Sequence, residues 1–385
     1  MTEVRNIPFG RPWITDEDRQ AVLAVLQGHI LTHGPEGKAF EAEFAAFTGE
    51  GAHAVSVSSG MASLHLAYLH FGIGPGDEVI VPAQTHVATV HAVEWVGARP
   101  VFVDCDPGTG NLTAASLAAA VTPRTRAIGL VHFLGIPCRM AEIMEVAVKH
   151  NLKVIEDCAL AIGARYRGRH VGLWGDAGCF SFYPVKHFTT GEGGMFLTRH
   201  REVVEAVGKL RAFGVDRSFG ERTIPGIYDV PTLGLNYRMS EMQAALGRVQ
   251  LGRVHQILEH RRRHFETLWQ GLMGLPKLRV LNDTHPDAEC CHYCLSLVLE
   301  SADRKERDAL VLRINAAGIG TSVYYPHPVP RLAYYHNKYG YKPGQFPHAT
   351  EISDCSIALP VGPHLYPEDL EYMVENLNRI LGERG

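Results

Sequence analysis

The chain has no apolar run approaching the roughly eighteen residues that a membrane-spanning helix needs, so no span is expected. A surplus of positive charge is missing too: 37 Lys and Arg stand against 41 Asp and Glu, a formal net charge of −4. That balance gives no reason to expect nucleic acid or an anionic membrane as a partner. The start, Met1-Thr-Glu-Val-Arg-Asn, has no apolar stretch behind a basic end, so a cytoplasmic location is expected. No GxGxxG follows an early strand-like run, which disfavours a nicotinamide-binding Rossmann unit. Internal repeats and low-complexity tracts are absent. Eight cysteines in 385 residues do not make a disulfide scaffold. Cys291 and Cys294 have CxxC spacing, but no second CxxC completes a tetrahedral site, so packing at a strand start is expected there and no metal.

What is present is the composition of a soluble globular protein, 46% hydrophobic and 20% charged, with chain enough for two or three lobes. Thr15-Asp-Glu-Asp-Arg before Ala21–Leu26 reads as an N-capped helix with acids in its first turn. Strand-like runs follow at 54–57, 78–81, 100–104, 127–131, 153–156, 179–182 and 195–198, with helix-like stretches at 61–71 and 85–96. This alternation predicts an α/β domain around a mostly parallel sheet. One long helical run, from Met239 to about Trp269, links it to a smaller α+β part. There the pattern predicts a strand at 295–299, a helix at 303–317, a strand at 321–325 and a last helix from Pro367. The division expected is a large domain over 1–250 and a small one over 251–385.

The chemistry is concentrated in Phe180-Ser-Phe-Tyr-Pro-Val-Lys186 and the Gly-rich turn ending at Gly194. A lysine between an apolar strand and such a turn is unusual, because a buried ammonium must find a partner or lose its proton. An amine with a lowered pKa suits Schiff-base chemistry. Glu156-Asp157 ends a strand-like run upstream, where an aspartate can face a protonated pyridine nitrogen. Together Lys186 and Asp157 suggest pyridoxal phosphate (PLP).

In their order along the chain, these motifs resemble the DegT/DnrJ/EryC1/StrS family of sugar aminotransferases, fold-type I PLP enzymes. The resemblance runs from Thr32-His-Gly-Pro35 to Pro360. It implies a large domain with a mixed, mostly parallel sheet, and it makes Lys186 the cofactor lysine and Asp157 the partner of the pyridine nitrogen. It places the phosphate against Ser181 and the backbone of Gly60, Met61 and Ala62, at a helix start that suits an anion. Asn236, in Gly234-Leu-Asn-Tyr-Arg238, matches a phosphate contact that relatives deliver from a neighbouring subunit, implying a homodimer with shared sites.

Three positions depart from the family pattern. Met61 stands where relatives carry Thr, and His86 where an aromatic ring stacks on the pyridine. Leu160 stands where Gln or His contacts the cofactor's 3′-hydroxyl. Lys186 itself argues against the dehydratase branch that carries histidine at that position, and His187 is not that histidine. Thr32, His33, Glu192, Arg238, Tyr324, Tyr325 and His327 are candidates for the substrate pocket. The activity implied is transfer of an amino group from glutamate or glutamine to a keto-sugar, nucleotide-linked, with a keto-cyclitol as the nearest variant. The competing readings are a PLP-dependent sugar dehydratase, epimerase or oxidase, and a non-catalytic sensor on the same fold.

Overall fold

The computed structural model describes residues 4–216, 224 and 226–383. In chain order the strands are β1 (His53–Val57), β2 (Glu78–Pro82), β3 (Arg99–Val103), β4 (Thr125–Val131), β5 (Lys153–Asp157), β6 (Arg165–Tyr166) and β7 (Arg169–His170). They continue with β8 (Ala177–Ser181), β9 (Gly194–Thr198), β10 (Leu278–Val280), β11 (Ala288–Glu289), β12 (Leu295–Leu299) and β13 (Ser356–Leu359). Seven of them form the main sheet in the order β1-β9-β8-β5-β4-β2-β3. β9 runs antiparallel to both neighbours, and the pairs from β8 to β3 are parallel.

These strands read as continuous apolar runs because helices cover both faces of the sheet. The pleat sends alternate side chains to opposite cores. Val79 and Val81 join one cluster with Leu64, Val90 and Val93, from the helices Gly60–His70 and Val87–Trp95. Ile80, between them, joins the other with Leu117 and Ile143, from Ala114–Ala120 and Met140–Lys149. The small sheet, β10-β12-β13, is antiparallel and shares a third core with the helices Val254–Leu272, Arg304–Ala316 and Pro367–Gly382.

Two expectations need correction. The single helix expected from Met239 to Trp269 is two helices, Glu241–Gly252 and Val254–Leu272. Arg253, at φ −112° and ψ 15°, breaks them, and its guanidinium is tied to Asp18 and to the Trp13 carbonyl. The segment 321–325 is not a strand either. Only Ser322 bridges to Ala358, because the Tyr324 carbonyl is taken by the Gln84 side chain at 2.9 Å instead of a ladder partner. The edges of the small sheet are β10 and β13, and neither had a counterpart in the expected elements.

Candidate active site

The parallel strands β2, β5 and β8 end at one edge of the sheet, where open α/β sheets place their sites. β1 ends and antiparallel β9 begins at the same edge. Asp157 is the last residue of β5, and Ser181 the last of β8. Past β1, Ser59 caps the helix Gly60–His70, its Oγ accepting from the Ala62 N–H at 3.1 Å. Gly60 and Met61, in the first turn, have no partner within the helix for their N–H groups. That terminus lies hard against β8 and β9. A Cβ on Gly60 would stand 2.9 Å from Ser181 Cβ, and one on Gly194 would meet the Ser59 carbonyl at 2.5 Å. The two glycines are what let this helix start, whose first N–H groups face out of the helix, approach Ser181 this closely.

Asp157 is 5% exposed, and its carboxylate is held at both oxygens. Oδ1 accepts from the Ala159 N–H at 3.0 Å and Oδ2 from Thr89 Oγ at 2.7 Å. Thr89 spends its only hydroxyl proton there, so Thr85, 2.7 Å away, donates to Thr89. No ion pair to Asp157 occurs among the described residues, which leaves its charge available to a cationic ring. Glu156, one residue back, points to the other face and is saturated. It accepts from the N–H groups of Gly172, Trp174 and Gly175 and pairs with His132 Nε2 at 2.9 Å. His132 Nδ1 accepts from the Cys138 N–H at 3.0 Å. The cluster His132–Glu156–Cys158 has metal-ligand residue types, but His132 and Glu156 already spend their ligand atoms on these protein contacts.

Lys186 follows β8 by five residues. It keeps some accessible surface in the cleft, but protein crowds it, and that desolvation brings its ammonium down to about 8 against the upward pull of Asp157. Its Nζ lies 5.6 Å from the centre of the Tyr293 ring. His86 caps the next helix, its Nδ1 accepting from the Ala88 N–H at 3.2 Å. Desolvation and then the Lys186 charge lower its pKa, so the ring is neutral near pH 7. Tyr325 reaches the same place from the C-terminal part, 5.4 Å from His86 and 6.2 Å from Phe133 between ring centres. Burial pushes its hydroxyl far above the usual range. Leu160 is 2% exposed and packs in the core that holds Phe133 and Tyr293.

The other candidates lie apart from this group. Arg238 donates through Nε to Asn236 Oδ1 at 2.9 Å and through a terminal nitrogen to His33 Nε2 at 2.7 Å, and it lies over the Phe213 ring. A guanidinium has no acceptor, so it fixes the Asn236 carboxamide with oxygen inward and His33 as the Nδ1–H tautomer. Thr32 is exposed in the turn before the helix Pro35–Thr48, whose first N–H groups are capped from outside by the Glu241 carboxylate. Glu192 is exposed, its carbonyl anchored by Gln243 and Thr190. Tyr324 is buried and bonded to Tyr293. His327 accepts from Arg331, which holds Asp354. Sequence reasoning missed Thr89 and Tyr293. Thr89 is four residues from Thr85, which precedes the helix Val87–Trp95, and that spacing was a readable signal, whereas Tyr293 was masked by the cysteines around it.

Residues 12–378 match the DegT/DnrJ/EryC1/StrS aminotransferase family. Over 391 aligned residues the chain is 36% identical to the spore coat polysaccharide biosynthesis protein SpsC of Bacillus subtilis, covering 99% of each. It is 37% identical over 362 residues to the erythromycin biosynthesis sensory transduction protein EryC1 of Saccharopolyspora erythraea, covering 93% of each. Among solved structures it is similar to Spr1654 of Streptococcus pneumoniae, a candidate sugar aminotransferase in its PMP form, at 28% identity and TM-score 0.93. That match covers 98% of this chain and 100% of the other. DesV of S. venezuelae matches at 35% identity and TM-score 0.89, again over 98% and 100%. The protein is a member of the DegT/DnrJ/EryC1/StrS aminotransferase family.

Proposed function

We propose that the protein is a PLP-dependent aminotransferase that moves an amino group from glutamate or glutamine to a keto-sugar, nucleotide-linked, in two half-reactions. The observation that carries this is the convergence of three groups at one sheet edge. They are a lysine amine lowered to about 8, a braced strand-end carboxylate and a glycine-cleared helix start beside Ser181. This donor set fits PLP: the helix start and Ser181 suit its phosphate, Asp157 its pyridine nitrogen and Lys186 its aldehyde.

When bound, PLP supplies an electron sink for the bond broken at the donor's α-carbon. Lys186 would hold the cofactor through its aldehyde, and its free amine is the group placed to take and return the proton at that carbon. Asp157, its carboxylate held by Thr89 and the Ala159 N–H, would face the pyridine nitrogen and accept its hydrogen bond. The N–H groups of Gly60 and Met61 and the Ser181 hydroxyl anchor the phosphate; Ala62 contributes through the cap that shapes the turn. His86, flat and neutral, would offer a face to the cofactor ring, with Tyr325 beside it at 5.4 Å between ring centres. Thr32, Glu192, Arg238 and His327 serve the sugar or its nucleotide.

Asn236 is exposed, and it follows a segment that turns Ile227, Val230 and Leu233 to solvent, Leu233 at 92%. This supports a homodimer in which Asn236 reaches the phosphate held by the partner subunit; the location proposed for it is cytoplasmic. The division at residues 250 and 251 then separates a cofactor domain from a smaller one that lends Tyr325.

The test is the visible spectrum of the purified protein before and after excess L-glutamate, beside Lys186→Ala. Bleaching of the cofactor band with a rise at the pyridoxamine phosphate band, absent in the variant, is the expected result. A cofactor band indifferent to glutamate and glutamine would sink the donor assignment. Leu160, apolar at the place facing the 3′-hydroxyl in relatives, then favours the dehydratase, epimerase or oxidase reading.

A further inference from the structure

Lys186 Nζ lies over the face of Tyr293, within cation–π range at 5.6 Å from the ring centre. The ring is not free to drift. It is 3% exposed, its hydroxyl bonds Tyr324 at 2.8 Å, its N–H donates to the Leu134 carbonyl at 3.2 Å, and its carbonyl accepts from Arg261 at 2.7 Å. Tyr324 is held in turn through its carbonyl by Gln84, which is itself held by Ser353. The hydrogen-bonding effort of three segments far apart in sequence is spent on the position of one ring, over which Arg261 also lies at 5.8 Å from the centre. Asp157, His86 and His187 are the other titratable groups that act on Lys186.

We propose that Tyr293 is the resting place of the Lys186 amine whenever it is not joined to the cofactor, holding it in reach for proton transfer at the donor's α-carbon. This rests on Lys186 being the cofactor lysine. A flexible four-carbon side chain released into an open cleft would sample many rotamers. The ring face gives the amine one place to return to, and the negative face of the ring favours its ammonium form after it has taken the proton. The ring does this by its π-face; the hydroxyl serves only to anchor it on Tyr324.

The assay is the pH dependence of reductive methylation of Lys186 in cofactor-free protein, read by mass spectrometry at that residue. The set is wild type, Tyr293→Phe, Tyr293→Leu and a series with increasingly fluorinated phenylalanine at position 293. Phe should titrate within a few tenths of a unit of wild type, and Leu about 0.5–1 unit lower, as loss of a cation–π contact implies. If Leu does not fold, the fluorinated series decides, since fluorine weakens the ring's negative face with little change of volume. A midpoint falling with each fluorine supports the proposal; a flat series overturns it. In the PLP-loaded enzyme, Leu should lower kcat for the glutamate half-reaction while leaving PLP affinity within about threefold. Borohydride trapping of PLP on Lys186→Ala would instead refute the assignment of the lysine, and is scored separately.

Discussion

Alanine at Gly60 gives a direct test of the phosphate cradle. Its Cβ would stand 2.9 Å from Ser181 Cβ and 3.3 Å from the Phe180 carbonyl oxygen. Carbon atoms rest at about 3.5–4.0 Å, so the helix start must retreat by roughly 0.6–1 Å from β8. Gly60 does not occupy the left-handed region, so the effect is steric and not conformational. That retreat pulls two N–H groups away from Ser181 and breaks the simultaneous fit of helix and hydroxyl to one phosphate. Loss of one hydrogen bond to a charged group is worth about 1.5–3 kcal/mol, or about 10- to 100-fold in PLP affinity. Pyridoxal has the same aldehyde and pyridine but no phosphate, so its affinity should stay within about twofold. Titration of cofactor-free protein with both compounds, followed by absorbance, measures this. Equal weakening of both would place the damage at the lysine end or in the fold. An unchanged affinity for PLP would remove this helix start from phosphate binding.

Lys186 makes a second prediction, on stability. Its folded pKa of about 8 lies below the roughly 10.4 of an unfolded lysine, so between these values the unfolded chain binds more protons. The burial penalty is therefore full below pH 8 and fades as pH rises toward about 10. Cofactor-free Lys186→Met should be more stable than wild type at pH 7, with the gap closing across that window; a gap constant with pH would contradict the desolvation. Glu241→Ala removes a buried carboxylate that accepts from the Glu36 N–H at 2.8 Å and the Gly37 N–H at 3.1 Å. It should cost about 1–3 kcal/mol in urea unfolding, with Gln recovering part, and a loss under 0.5 kcal/mol would deny the cap its role. His132→Leu leaves the Glu156 carboxylate without one of its four partners in a fully buried place. A loss of about 1.5–3 kcal/mol in the same assay is expected, the worth of one hydrogen bond to a charged group.

How much of this was legible depends on what each residue had to do. The strands of the main sheet were readable because burial on both faces allows almost nothing polar, so 78–81, 127–131 and 153–156 stand out as short apolar runs. Lys186 and Asp157 were readable because the polar residue that ends or follows such a run has few structural excuses. The small sheet failed for the opposite reason. Ser356–Leu359 starts where the helix Pro347–Cys355 stops, with no turn residue between, while 321–325 alternates plausibly but gives its Tyr324 carbonyl to Gln84. That exchange joins positions 240 residues apart, and no local pattern records it. The break at Arg253 had a signal in Gly252, but the hold on Asp18 that makes it a break is again distant.

The same distinction runs through the site. Chemistry restricts the residues proposed for the cofactor to a lysine, an acid and a hydroxyl, so the sequence can single out candidates. Thr89, which braces Asp157, and Tyr293, which faces Lys186, only have to offer a hydroxyl or a ring in the right place, and many residues in the chain could. This separation has a measurable consequence. Substitution of Lys186 should abolish cofactor attachment outright. Thr89→Val, which keeps the volume and removes the donor to Asp157, should leave PLP bound but loosen the carboxylate that faces the pyridine nitrogen. The glutamate half-reaction should then slow by about tenfold, the worth of roughly one hydrogen bond to a charged group, with pyridoxal and PLP affected alike. If Thr89→Val instead weakened only PLP, the hydroxyl would be acting through the phosphate end. The brace on Asp157 would then be a packing contact without a share in the chemistry.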